Sequence, residues 1–575
     1  MAQLAMTAKI NSRWLNRLLL LVWLVIAMGL RLINLTAKPP WTDEFSTLVF
    51  SLGNSFLPVP LNEPITVDVL LQPLQPQPGA SIKDVLVHLF SESNHPPLYF
   101  VLAHLWMQLF PTSGGLVSLW GGRSLAAIFG ALSVPAIYTL SWFTFRCRLA
   151  SHIAAAIAAI SPYAIFLAQE ARHYTLAILW VIASLICLVV AVRRIQNRMP
   201  LPVWLVGTWI FTNALGIATH YFFILTLCSE AIAFIFVART QWDRGSDSLF
   251  FSSFCRRVFV VAVGTAIAAI IWIPVFSHNT YGNKLTNWIQ GSRVGFAWIS
   301  PIFQALAAWV TMLCLLPVES PHLVVVIASG LVMFLFLIWS VPILIRGFRV
   351  LLVQTKTRIV AQTLTAVVVG AVALFFLFTY LLGIDLTRGA RYNFVYFPAV
   401  IVLVGGSLAV CWHFPPKKKK WQVNGKIAVA AIWLMGLASA ITVIFNLGYQ
   451  KYYRPDLLRQ LIQKTSQVPV LIAATQKTHV QIGEMMGVAR EFKLHGHSSP
   501  AVQFLLAHQE ENASTSTIVL ENVLKNSPRP VDLWLVNFYA AEPETVKSCL
   551  ADTRALPAIN GYKYKIYHCP FPARQ

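Results

Sequence analysis

Acidic side chains are scarce in this chain. Only 22 Asp and Glu stand against 44 Lys and Arg in 575 residues, and charged residues of both signs make up 11%. So little charge excludes a soluble globular protein, in which about a quarter of residues are charged. The eight cysteines show no metal-ligand spacing such as CxxC, which removes a cysteine-based metal module. Cys187, Cys228, Cys314 and Cys411 fall in apolar stretches and read as core residues. No small-residue cleavage site follows the first apolar run, Leu18 to Ile33, so that run reads as a retained signal-anchor helix. The polar C-terminal segment holds no glycine-rich phosphate loop.

What is abundant is hydrocarbon. Hydrophobic residues reach 57% and mean hydropathy is +0.64. Apolar runs of about 20 residues recur, the length a helix needs to cross a bilayer. Only elements that satisfy their own backbone are stable there, so the expected fold is an α-helical polytopic membrane protein.

The formal charge of +22 does not point to nucleic acid, because the basic residues lie in short clusters between apolar runs. These are Lys9, Arg13 and Arg17; Arg146 and Arg148; Arg193, Arg194 and Arg198; Arg239 to Arg257; Arg346 to Arg358; and Lys417 to Lys420 with Lys426. Basic clusters of this kind mark cytoplasmic loops. Placing all of them inside puts the N-terminus in the cytoplasm and the C-terminus outside. Spans then fall at 18–33, 119–142, 150–168, 174–192, 202–219, 220–238, 258–277, 323–345, 359–382, 393–413 and 427–447. Two shorter apolar stretches, Pro97 to Phe110 and Pro301 to Leu316, read as interfacial or re-entrant helices, and counting them raises eleven spans to thirteen.

The domain reading is a transmembrane catalytic domain over 1–447, with a long outer loop at about 36–118, and an extracytoplasmic α/β domain over 448–575. In the latter, helices are expected at Leu457 to Gln463, Ile482 to Arg490, Ile518 to Leu524 and Pro543 to Ala551. Strands are expected at Val468 to Ala474, Val502 to Ala507, Val531 to Phe538 and Tyr562 to Tyr567, and alternation of the two kinds suggests the α/β class. On this topology Cys549 and Cys569 lie in an oxidising compartment and are candidates for a disulfide.

The residues suited to chemistry gather on the outer side. Asp43 and Glu44, in Trp41-Thr42-Asp43-Glu44-Phe45, offer a general base with an orienting neighbour, or a solvated helix start. They are also where a divalent metal would sit, although no ligand cluster demands one. His95, opening His95-Pro96-Pro97-Leu98-Tyr99-Phe100, faces an interfacial site or simply marks a stiff helix entry. Arg123 snorkels to headgroups or holds a lipid phosphate. The turn Gln169-Glu170-Ala171-Arg172-His173-Tyr174 packs an acid, a guanidinium, an imidazole and a phenol together, as a local ion pair or as part of a site. Arg388 and Arg391, followed by Tyr392, begin a late span, and two arginines on the outer face run against the positive-inside trend, which headgroup anchoring or a bound phosphate would explain. His220 and Tyr221 read as a packed aromatic hinge or as substrate contacts.

Taken in order, WTDEF, HPPLYF, GGR, SPYAIFLAQEARHYTL, THY and the late RY resemble the C-type (GT-C) membrane glycosyltransferases. The nearest in kind are bacterial relatives of protein O-mannosyltransferases and lipid A aminoarabinose transferases (glycosyltransferase family 39-like). The resemblance covers roughly residues 15–240, extends loosely to Arg391-Tyr392 and barely reaches the C-terminal domain.

It implies a polyprenyl-phosphate sugar donor used at the outer face of a bacterial plasma membrane, with inversion at the anomeric carbon. The acidic pair falls in the family's first outer loop, with Asp43 matching the general base beside Glu44, and Glu170 falls in the second, where the family usually carries another functional acid. Arg123 matches an arginine of the family's second span and Arg391 a late arginine near the donor phosphate, and Arg172, by residue type, is a further candidate for that phosphate. His95, Tyr174, His220, Tyr221, Arg388 and Tyr392 complete the expected substrate-binding set. Glu-Ala-Arg at 170–172 departs from the family, many of whose members carry an Asp in a different setting. The expectation is that the acidic couple and the separated arginines converge beside the outer membrane surface. A transporter or flippase of phosphate-bearing lipid-linked sugars is the alternative, and it predicts charges buried at mid-membrane. A polymerase or ligase acting on lipid-linked glycans is a second rival.

Overall fold

A computed structural model describes residues 13–242, 248–278, 281, 285–291, 295–413, 424–495, 501–510 and 514–571. Lys9 and Lys417 to Lys420 lie outside the described residues. The chain divides into two compact units. One, the membrane unit, comprises Met1–Leu35, Asn94–Tyr99 and Arg123–Tyr449; the other, the sheet unit, comprises Thr36–Ser93, Phe100–Gly122 and Gln450–Gln575. The division therefore does not follow chain order at 447/448. Most of the segment 36–118 shares a unit with the C-terminal segment.

Among the described residues, eight helices are long and apolar enough to cross a membrane. They include Arg13–Leu32, Leu119–Phe145, Tyr174–Gln196, Leu323–Val353, Thr355–Leu381 and Gly425–Ile444. A bent pair, Arg148–Ile160 and Pro162–Ala168, makes nine, and the shorter helices Val203–Thr219 and Phe397–Trp412 occupy the other two expected positions. Leu98–Met107 and Ser300–Thr311 have 10 and 12 residues. At 1.5 Å per residue they are too short to span ~30 Å of hydrocarbon.

The expected single span over 150–168 is broken by 55° at Ser161-Pro162. Proline cannot donate to the preceding turn and is suited to the first turn of a new helix. Ser161 accepts from the Ala164 N–H at 3.3 Å and donates to the Met312 carbonyl at 2.8 Å, which secures the break. Buried Arg31 fixes the first span to the helix before the break, donating to the Ala158 and Ala159 carbonyls at 3.1 and 3.0 Å.

The sheet unit is built on β1 (Pro64–Thr66), β2 (Val470–Gln476), β3 (Val502–His508), β4 (Val531–Val536), β5 (Leu550–Ala551) and β6 (Tyr564–Cys569), in the order β1-β3-β2-β4-β6-β5. The central β3-β2-β4 strands are parallel, joined through helices His479–His495 and Ser514–Asn526. Every residue of β2 and β4 is buried, as for parallel strands covered on both faces. The edges are antiparallel, β1 against β3 on one side and β6 with β5 on the other. The expected helix Pro543 to Ala551 is shorter, at Glu544–Lys547. Cys549 is bonded to Cys569, and the next two residues run as β5 against β6.

Candidate functional site

In the sheet unit, Asp43 and Glu44 occupy the first turn of helix Thr42–Ser51, where the amide dipoles favour negative charge. The two differ in setting. Asp43 is half-buried, whereas Glu44 has no exposed surface and meets the Lys451 ammonium at 3.3 Å. Lys451 is itself buried and lies over the Trp41 ring at 5.6 Å. A buried carboxylate is stable when paired, and this pair positions the start of the helix that carries Asp43. His479 stacks on Phe56 at 4.9 Å and meets Phe50 edge-on at 5.8 Å. Burial lowers its pKa to about 4, against an opposing pull from Asp43. Among the described residues there is no group of three or more His, Cys, Asp or Glu placed to hold a metal.

In the membrane unit, a cluster of bases forms around the 169–173 turn. The Arg172 guanidinium is buried and donates to His95 Nε2 at 3.0 Å. Guanidinium has no lone pair, so His95 accepts there and is neutral in this pairing. The His173 ring, fully buried, lies 5.3 Å from His95 and 4.6 Å from His220. Tyr174 packs on both His173 and His220, at 4.6 and 5.5 Å, and Arg172 sits 5.8 Å from its ring. His220 Nδ1 accepts from the Phe222 N–H at 3.0 Å. Burial, reinforced by the neighbouring imidazoles and by the Arg172 and Arg391 charges, holds His173 well below the usual histidine range. Burial with His95, Arg172 and Arg391 does the same to His220.

Arg391 is half-buried in the 3₁₀ segment Ala390–Val395, 5.3 Å from the Trp288 ring and 5.6 Å from the Tyr392 ring. Its backbone carbonyl accepts from Tyr163 Oη at 3.0 Å, which ties the segment to helix Pro162–Ala168. Tyr392 meets Phe222 at 4.7 Å and His220 at 6.3 Å. Thus Arg172, Arg391, His95, Tyr174, His220 and Tyr392 form one neighbourhood, to which His173 and Trp288 belong as well. His173 lies in the 169–174 turn, where nothing in the sequence sets it apart from its neighbours, and no motif surrounds Trp288.

Other candidates are placed differently. Arg123 has no exposed surface, and its Nη1 donates to the Leu35 carbonyl at 2.8 Å, so it does not snorkel. Arg388 pairs with Asp385 at 3.4 Å and donates to the Trp288 carbonyl at 2.6 Å, which accounts for one of the two late arginines by local pairing. Tyr221 packs on Trp272 at 6.0 Å, the hinge reading. Glu170 is buried, and its backbone carbonyl accepts from the Arg172 N–H at 2.7 Å.

Fold and site together define a many-helix membrane protein with a mixed-sheet unit and a buried cluster of bases. No protein-family model matches the chain, and no curated protein matches it in sequence. Among solved structures, the chain is similar to ArnT from Cupriavidus metallidurans bound to undecaprenyl phosphate. That match covers 98% of this chain and 100% of the other, with a TM-score of 0.49 and 11% identity. The apo form of the same ArnT gives a TM-score of 0.49 and 11% identity, covering 96% and 99%. The Archaeoglobus fulgidus oligosaccharyltransferase tethered with an acceptor peptide gives 0.43 and 14% identity, covering 91% of this chain and 69% of that one.

Proposed function

We propose that this protein is an inverting GT-C glycosyltransferase that moves a sugar from a polyprenyl-phosphate-linked donor to an acceptor at the outer face of a bacterial plasma membrane. The observation that carries the reading is the cluster in which buried Arg172 donates to His95, His173 lies between His95 and His220, and Arg391 joins through Tyr392, which packs against His220. Two guanidiniums among neutral imidazoles suit an anion that must be held away from water, as a lipid phosphate is.

The chemistry needs few groups. The acceptor oxygen forms a bond to the anomeric carbon and gives its proton to a carboxylate, for which the WTDEF motif nominates Asp43. The bond from that carbon to the phosphate oxygen breaks, and the phosphate leaves with the electron pair and its added negative charge. Arg172 and Arg391 stabilise that charge as it develops, and in-line displacement inverts the sugar. Glu44, engaged by Lys451, is a positioning residue in this reading. Arg123 and Arg388, already used on carbonyls and Asp385, stand outside the phosphate site.

The transporter alternative draws on one observation. Glu230 is buried within helix Phe223–Trp242. Ser184 Oγ lies within hydrogen-bond reach of its Oε2 at 2.7 Å and of Asn213 Oδ1 at 3.0 Å, and Asn213 donates to Thr265 at 2.9 Å. A network crossing four helices also serves as interhelical glue.

Purified enzyme with a radiolabelled polyprenyl-phosphate sugar separates the readings. Asp43→Asn is expected to abolish transfer while donor binding persists. Arg172→Gln or Arg391→Gln should each weaken donor binding about tenfold or more, the worth of a charge-assisted hydrogen bond. Undiminished transfer by Asp43→Asn would overturn the assignment.

A further inference from the structure

The sheet unit contains a second place where chemistry is concentrated. A cavity of about 760 Å³ runs along the segment that returns from β5 to β6. That volume falls in the ~300–1,000 Å³ range of small-molecule sites. Five tyrosines reach it, and of these Tyr452 and Tyr539 are 71% and 63% exposed. Two large aromatic faces left in water at one cavity have surface to give to a ligand.

The walls are built rather than accidental. Asn537, in the left-handed region at φ 49°, donates to the Gly561 carbonyl at 2.9 Å and accepts from the Lys563 N–H at 2.9 Å. Gly561 has φ 83°, and a Cβ there would lie 2.8 Å from Tyr453 Cα and 2.9 Å from the Tyr452 carbonyl oxygen. Only glycine lets the 559–562 turn approach the tyrosine pair this closely. Tyr564 Oη donates to the Pro557 carbonyl at 2.6 Å, closing the return segment on itself. The cavity is therefore shaped before anything enters it.

Its polar groups select the occupant. The Asp552 carboxylate is buried and taken up by Arg554 and His568, so it holds the exposed Arg554 guanidinium in place, and Asn560 adds an amide. Planar guanidinium and amide groups are what pairs of adjacent sugar hydroxyls bind, and the C–H face of a sugar ring stacks on tyrosine. The charge is not balanced, since Arg554, Lys563 and Lys565 face a single lining carboxylate. Arg554 is matched by Asp552 and Lys565 by Glu542, whereas Lys563, which is exposed, has no carboxylate in ion-pair reach among the described residues.

We propose that this cavity binds an oligosaccharide bearing carboxylate groups, with Tyr452 and Tyr539 stacking on its rings and Lys563 taking the carboxylate. Building on the transferase reading, the acceptor is then an acidic glycan, held through sugar residues other than the one that reacts.

The test is calorimetric titration of the full-length protein in detergent and in phosphatidylglycerol nanodiscs, with trigalacturonate as probe and maltotriose as the neutral control. Wild type is expected to bind trigalacturonate in both, and maltotriose more weakly. Tyr452→Ala and Tyr539→Ala, both surface changes, should each weaken binding about tenfold, and Lys563→Gln should remove the preference for the acidic probe. Failure of wild type to bind either sugar, equal binding by all variants, or binding in detergent that anionic lipid abolishes would each overturn the proposal. The last result would make the cavity a headgroup site. Binding is read apart from transfer: a protein that transfers sugar yet binds neither probe loses only this pocket. One that binds but does not transfer loses only the transferase reading.

Discussion

At the scale of single residues, buried charge in this charge-poor chain is held by a partner. Glu44 has Lys451, Arg388 has Asp385, and Arg31 has three backbone carbonyls. The WTDEF motif gave Asp43 the general-base role and Glu44 a supporting one, and their surroundings separate them further into a half-buried acid and a fully buried, paired one. That distinction was not legible, because Lys451 lies more than 400 residues away and only folding brings it to the pair. Removing one partner leaves the other charge buried without its ion pair. Glu44→Gln or Lys451→Met alone should destabilise the sheet unit by about 3–5 kcal/mol. The double variant should recover most of the loss, and chemical denaturation followed through proteolytic protection of the sheet unit would measure both. If the double variant loses as much as the two singles together, the pair is not coupled.

At the scale of elements, hydropathy found the apolar helices and alternation found the four longer strands, whereas the short helices Thr42–Ser51, Val67–Leu70 and Ile82–Glu92 and the strands β1 and β5 carried no pattern strong enough to mark them. The apolar run 150–168 carries no charge signal at its break; Pro162 alone marks it, and the Ser161 contacts fix it. The segment after Pro543 has helical spacing but ends in β5, where Cys549 is joined to Cys569. Strand β1, three residues from the first outer loop, had no strand pattern of its own and is defined by pairing with β3. The disulfide closes a loop with a sequence separation of 20. By the chain-entropy model its removal should cost about 3 kcal/mol. Cys549→Ser or Cys569→Ser should accordingly lower the denaturation midpoint of the sheet unit, while the apolar helices of the membrane unit stay resistant to protease. An unchanged midpoint would show that the edge strands are held by packing alone.

At the scale of the whole molecule, the reading of the basic clusters as cytoplasmic and the proposed chemistry both require the sheet unit outside. Lys525, exposed on helix Ser514–Asn526, and Lys356, exposed at the start of helix Thr355–Leu381, fall on opposite sides in that arrangement. A membrane-impermeant maleimide should label Lys525→Cys in intact cells and Lys356→Cys only after permeabilisation, each above the background of the unsubstituted protein. The reverse pattern would place Asp43 on the cytoplasmic side and end the outer-face reading.

The sequence by itself determined that this is a helical membrane protein with an α/β segment, because hydropathy and strand–helix alternation are local properties that bilayer and sheet physics translate directly. It also nominated Arg172, Arg391, His95, His220 and the 549–569 disulfide, since residue type and compartment suffice to propose them. Only the tertiary structure decided which carboxylate is buried against a lysine and which arginines bond to carbonyls. It likewise decided that residues 36–93 join the C-terminal sheet unit and that five tyrosines surround one cavity. Such facts depend on distances between residues far apart along the chain, and no local pattern encodes them.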